Sequence, residues 1–184
     1  MSQEILYTSA PQGLKPGSRG FCTVVSTVGM AGNLAERLES LSGYRHAFEA
    51  HDPHAGLNPV NYSYSILSVG GRRYYVLSAV RDAGLDYTQR TNKLAHIVSL
   101  DPQERVDGGP AWVMATPGFC ETQWDGQTRI LPTGRRPAPG GRPPGVCRAW
   151  RQLAGDAGWA GRLAEMTLEK ANRPISIIYA AGTD

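Results

Sequence analysis

The stretch Tyr62-Ser-Tyr-Ser-Ile-Leu-Ser-Val69, Gly70-Gly71, Arg72-Arg-Tyr-Tyr-Val-Leu-Ser-Ala-Val80 decides the fold class. Two runs rich in aromatic and β-branched residues flank a pair of glycines, and adjacent glycines supply the positive φ angles of turns that match the twist of antiparallel strands. This is the signature of a β-hairpin. Outward from it, residues 5–8 and 21–28 are expected as strands, and so are residues 93–100, where Leu94, His96, Val98 and Leu100 alternate with polar residues. The short apolar runs at 111–116 and 175–181 predict two more strands.

Helical spacing shows in three places. Leu34, Leu38 and Leu41 predict a helix over 33–44, with Asn33 and Glu36 placed as a capping-box variant and Gly43 as its stop. Residues 146–153 and 159–171 predict two more, the second carrying Trp159, Leu163 and Met166 on one stripe and closed by Pro174. The expected class is α+β: a mostly antiparallel sheet of about six to seven strands with three helices and long loops rich in glycine and proline. Residues 132–144, with five prolines, are expected as a long surface loop or linker. A single domain spanning 1–184 is expected. Gly182-Thr-Asp184 looks like the lead into a further helix, so the domain reads as one excised from a longer protein.

At 184 residues, 41% hydrophobic and 19% charged, the chain has ordinary globular composition and contains no run of about 18 apolar residues. A membrane span is not expected. Cys22, Cys120 and Cys147 make an odd, widely spaced set, and no basic-then-apolar leader opens the sequence, so a reducing, cytoplasmic location is expected. Without a leader, the sequon at Asn61-Tyr-Ser63 has no bearing. The net charge of +3 is local: Arg129, Arg135, Arg136, Arg142, Arg148 and Arg151 crowd one region. Such a patch can hold nucleic acid, but arginines on a Pro/Gly tether are more often solvated, and no nucleic-acid partner is expected.

Four groupings carry candidate chemistry. Gly13-Leu-Lys-Pro-Gly-Ser-Arg-Gly20 suggests a phosphate cradle, but three residues separate its first glycines where a phosphate loop has four, and a strand follows instead of a helix. It predicts an ordered structural loop. His46, Glu49, His51, Asp52 and His54 match no ligand spacing and predict a solvated loop with no metal. Cys22 and His96 are candidates for a thiolate–imidazole pair, since a nucleophilic cysteine needs a base within hydrogen-bond reach. Arg90, Asn92 and His96 are the candidate binding residues: an arginine clamp and a histidine acid or base on one reading, a hydrogen-bonded buckle holding the loop to the sheet on the favoured other. No cofactor is expected.

The sequence resembles a known family. Leu6-Tyr-Thr-Ser-Ala-Pro-Gln-Gly-Leu-Lys-Pro-Gly-Ser-Arg-Gly-Phe-Cys-Thr-Val24, Leu38-Glu-Ser-Leu-Ser-Gly-Tyr44, Arg90-Thr-Asn-Lys-Leu-Ala-His96, Leu131-Pro-Thr-Gly-Arg-Arg-Pro137, Cys147-Arg-Ala-Trp150 and Ala157-Gly-Trp-Ala-Gly161 are similar to the N-terminal type-2 domain of bacterial GTPase-associated proteins. The resemblance implies a component of bacterial conflict or defence systems in which a small GTPase and ATPase modules set a trigger threshold, carried at the front of a longer multidomain protein. It supplies no catalytic residue set. The expected function is a non-catalytic protein-interaction module whose partners are the small GTPase, other components of the system, or the parent protein's C-terminal domains. The alternative is a hydrolase or transferase using His96 with Cys22 or a hydroxyl.

Overall fold

A computed structural model describes residues 1–101, 103–104, 109–138, 151–152 and 155. The chain divides into two units, Met1–Pro143 and Pro144–Asp184. In the first unit, six strands form one sheet: β1 (Gln3–Ala10), β2 (Gly20–Thr27), β3 (Asn61–Val69), β4 (Arg72–Leu85), β5 (Thr91–Leu100) and β6 (Arg129–Leu131). Their order is β3-β4-β5-β1-β2-β6. Every pairing is antiparallel except the short parallel contact of β2 with β6. The predicted hairpin is present, with Val69 opposite Arg72, and both turn glycines have positive φ (Gly70 +57°, Gly71 +76°) as a type I′ turn demands.

Among the described residues, one α-helix lies on each face of the sheet. Helix α1 (Gly32–Glu39) packs Leu34 and Leu38 against Ile5, Val76, Val80, Ala95 and Ile97. On the opposite face, Leu77, Val98 and Leu100 meet Val113, Met114 and Phe119. Leu6, Ala10, Cys22, Val24, Val25 and Leu94 complete the apolar interior. Covered on both sides, β5 is buried without a break from Leu94 to Leu100, so the alternation expected of a half-exposed strand gives way to a continuous buried run.

Two expectations need correction. Residues 111–116 are not a strand: Pro110–Ala115 forms helix α2. Proline fits the first turn of a helix, where its missing N–H has no partner to lose, and burying the adjacent Val113 and Met114 on one side requires helical rather than period-two geometry. Helix α1 also starts one residue early, with Ala31 in the capping position and no side-chain cap, so Asn33 and Glu36 form no capping box. It ends at Glu39, and Leu41 and Ser42 continue only as single turns onto Leu38 and Glu39. The helices expected over 146–153 and 159–171 and the strand over 175–181 lie outside the described residues, apart from Arg151 and Gln152, which are helical.

The loop from β1 to β2 is built from its own backbone. Gly13 N–H donates to Ser18 O, Ser18 N–H to Lys15 O and Leu14 N–H to Thr23 O. A Cβ on Gly13 would sit 2.7 Å from Cys22 Sγ, so glycine is needed there for close approach. The amides of Gly13, Leu14 and Ser18 are thereby spent on the chain's own carbonyls rather than turned toward an anion.

Candidate functional site

Residues 90–96 are not brought to one point. Arg90 ends the turn between β4 and β5, exposed, with its Nε donating to Thr88 Oγ1 at 3.1 Å. Asp86 organises that turn: its carboxylate accepts from Thr88 Oγ1 (2.6 Å), Thr88 N–H (2.7 Å), Arg90 N–H (3.0 Å) and Ser9 Oγ (2.7 Å). The Thr88 hydroxyl and the Arg90 amide, with lesser help from Ser9, hold its carboxyl far below the usual carboxylate range.

Asn92 is buried at the start of β5. Its Oδ1 accepts from Ser9 N–H at 3.1 Å and from Lys93 N–H at 2.8 Å, while Nδ2 lies 3.1 Å from Thr8 Oγ1. Its carbonyl meets His46 Nε2 at 3.0 Å. Asn92 therefore ties the end of β1 to β5 and pins the 44–58 loop to the sheet. Beside it opens a cleft of about 280 Å³ lined by Thr8, Ser9, Asp86, Asn92, Gln123 and Trp124 among others.

His96 lies deeper on the same face, 1% exposed. Its Nδ1 accepts the Glu121 N–H at 3.1 Å, so in the neutral ring the proton sits on Nε2. Nε2 is 3.8 Å from Glu4 Oε1, too long for a hydrogen bond. Burial pushes the imidazole below its ordinary value against the pull of Glu4. Burial also opposes the charge on Glu4, but His96 and Arg135 outweigh it and hold that carboxyl below its ordinary range.

Arg135 closes this chamber. Its N–H donates to Glu4 Oε2 at 2.6 Å, its Nη1 to Gly118 O (2.6 Å) and Phe119 O (2.8 Å), and its Nη2 to Glu121. Gly134 just before it lies against β1, where a Cβ would fall 2.6 Å from Ser2 O. The first part of residues 132–144 is thus a strap across β1. Neither Glu4, Glu121 nor Arg135 carries a sequence signal that points to His96; Glu4 and Arg135 are 131 positions apart.

Cys22 and His96 do not meet. Cys22 is opposite Thr8 on β1, and Thr8 is opposite Leu94 on β5, so two strand spacings and two residues along the strand put Cys22 and His96 about 12 Å apart. Burial raises the Cys22 thiol, the opposite of nucleophilic activation. The 46–54 cluster also disperses: His46 goes to Asn92 and Asp82, Glu49 accepts from Thr91 Oγ1 at 2.8 Å, and Asp52 bonds His54 at 3.0 Å. Among the described residues, no grouping of three or more such side chains is placed to hold a metal, and no helix is long and apolar enough to cross a membrane. The basic patch is internally matched where it is described in the first unit, with Arg129 on Asp125, Arg135 on Glu4 and Glu121, and Arg136 on Glu104.

No curated protein and no solved structure matches this chain. The family model for the N-terminal domain, type 2, of GTPase-associated protein 1 matches residues 1–137, from the first residue to just past the strap. The chain belongs to the family of GTPase-associated protein 1 N-terminal domains of type 2.

Proposed function

We propose that this domain is a non-catalytic protein-interaction module of a bacterial GTPase-associated conflict or defence system, one domain of a longer multidomain protein in the cytoplasm. The observation that supports this reading is the way its most site-like residues are spent. Arg90 and Asn92 bond the chain's own turn and strand ends, and His96 faces Glu4 and the Glu121 amide beneath the Arg135 strap. General acid–base work needs a proton donor or acceptor within hydrogen-bond reach of a substrate atom, and a ring 1% exposed offers none without opening the strap. A domain whose polar groups are used to fix its shape contributes through its surface. Arg90, Asn92 and His96 act on this reading as the buckle that sets that surface.

A pull-down with the small GTPase of the same system, loaded in turn with GDP and with a non-hydrolysable GTP analogue, tests the proposal. Retention in one state over the other is expected. Absence of retention in both states removes the GTPase as the partner.

A further inference from the structure

The two outer edges of the sheet are built differently. On one side, β6 is three residues long, begins with Arg129 and is followed directly by Pro132, the short and charged pattern that keeps an edge from pairing with another chain. On the other side, β3 runs nine residues, Asn61-Tyr-Ser-Tyr-Ser-Ile-Leu-Ser-Val69, with no charged residue, no proline and a continuous register to β4. Among the described residues, no strand covers its outer edge. Within the strand itself and among the described residues, none of the usual protections against edge pairing is present.

We propose that this edge pairs with the β3 edge of a second copy of the chain, antiparallel about a two-fold axis at Ser65, to make one continuous sheet across the dimer. An isologous interface requires a self-complementary patch, and an uncharged strand sets no like charges opposite one another. In this register Tyr64 stands against Ile66 of the second copy, and Tyr62 against its Ser68. The latter pair explains two exposed side chains. Arg73 is the β4 neighbour of Ser68, so the exposed Tyr62 ring of one copy and the exposed Arg73 guanidinium of the other share a face across the small Ser68, two strand spacings of about 5 Å each, a span their long side chains can close to a cation–π contact. Flanking the seam is an apolar groove of about 430 Å³ between β3 and α2, lined by Tyr62, Tyr64, Pro110, Ala111 and Met114. The dimer axis, normal to the sheet, brings the two grooves together on the α2 face.

Sedimentation velocity on the whole 184-residue chain at tens of micromolar is expected to give twice the 19.9 kDa monomer mass. Ser65→Lys and Ser65→Glu, each placing like charges across the axis, are expected to sediment as monomers, and mixing the two is expected to restore the dimer. Restoration also shows that both variants fold. Ser65→Cys leaves the surface nearly unchanged and is expected to form a disulfide-linked dimer under mild oxidant, because residues opposite each other across an antiparallel pair have Cβ atoms about 4.5–5.5 Å apart, a small backbone shift from disulfide reach. A wild-type chain that stays monomeric overturns the proposal. So does a dimer that Ser65→Cys fails to cross-link, since its copies meet elsewhere. The result is independent of GTPase binding.

Discussion

Replacing His96 by glutamine tests the buried chamber most directly. The amide oxygen of Gln still accepts the Glu121 N–H, but the side chain no longer titrates. In the native chain, burial holds the imidazole below its ordinary value of 6.5 in spite of Glu4, so the folded state keeps the ring neutral while the unfolded chain takes up a proton. A base whose pKa is lower when folded gives stability that is present above the unfolded value and lost as pH falls through it. Between pH 7 and pH 5.5, a ring that stays neutral when folded and titrates at 6.5 when unfolded loses about 1.3 kcal/mol, a ceiling set by complete neutrality of the folded form. Urea unfolding at the two pH values, on wild type and His96→Gln, measures it. The wild type is expected to lose up to that amount more than the variant on acidification, whatever their difference at neutral pH. The charged groups facing the ring are Glu4, Arg135 and Arg81, and the two arginines oppose its protonation. An equal loss in both proteins refutes the neutral ring; a wild type that gains on the variant in acid shows that Glu4 prevails and His96 is charged when folded.

Other perturbations separate the parts of the fold. Asn92→Ala strips buried partners from Ser9 N–H and Thr8 Oγ1 and is expected to destabilise the domain by about 2–3 kcal/mol in urea unfolding, with little effect if the buckle is unimportant. Gly134→Ala drives a methyl into the β1 backbone and is expected to cost about 1–3 kcal/mol, seen as a lower Tm; an unchanged Tm means the strap does not lie against β1. Gly71→Ala, at φ +76° in the hairpin turn and with open space around it, is expected to cost about 1 kcal/mol from backbone strain alone. Below pH 4.5 the wild type is expected to lose further stability as Glu4, held low by His96 and Arg135, takes up its proton; Glu4→Gln flattens that limb of the acid titration.

The hairpin was legible because its information is local: two glycines fix the turn and period-two runs fix the register. Helix α2 was misread because a six-residue apolar run shows no distinguishable period, although Pro110 at its first position was an available start signal. Asn92 and His96 could be singled out as polar residues on a strand that had to be buried. Their partners could not, because Thr8, Ser9, Glu4, Glu121 and Arg135 reach them through the pairing of β1 with β5 and through the strap, contacts set by tertiary geometry and invisible to any spacing rule. The apparent pairing of Cys22 with His96 failed for the same reason, since both face the same side of the sheet but stand on strands separated by β1.

The strap also sets a timetable for synthesis. Strand β1 leaves the ribosome before the rest of the sheet, its partner β5 follows some 90 residues later, and Arg135 comes 131 residues after Glu4. At about 5–20 residues per second, Glu4 waits on the order of ten seconds for the arginine that balances it. The sheet cannot be finished from its N-terminus forward. A fragment stopped at Leu131 would contain all six strands and still leave Glu4 in the chamber without its cation, so the shortest stretch able to close on itself runs to Arg135.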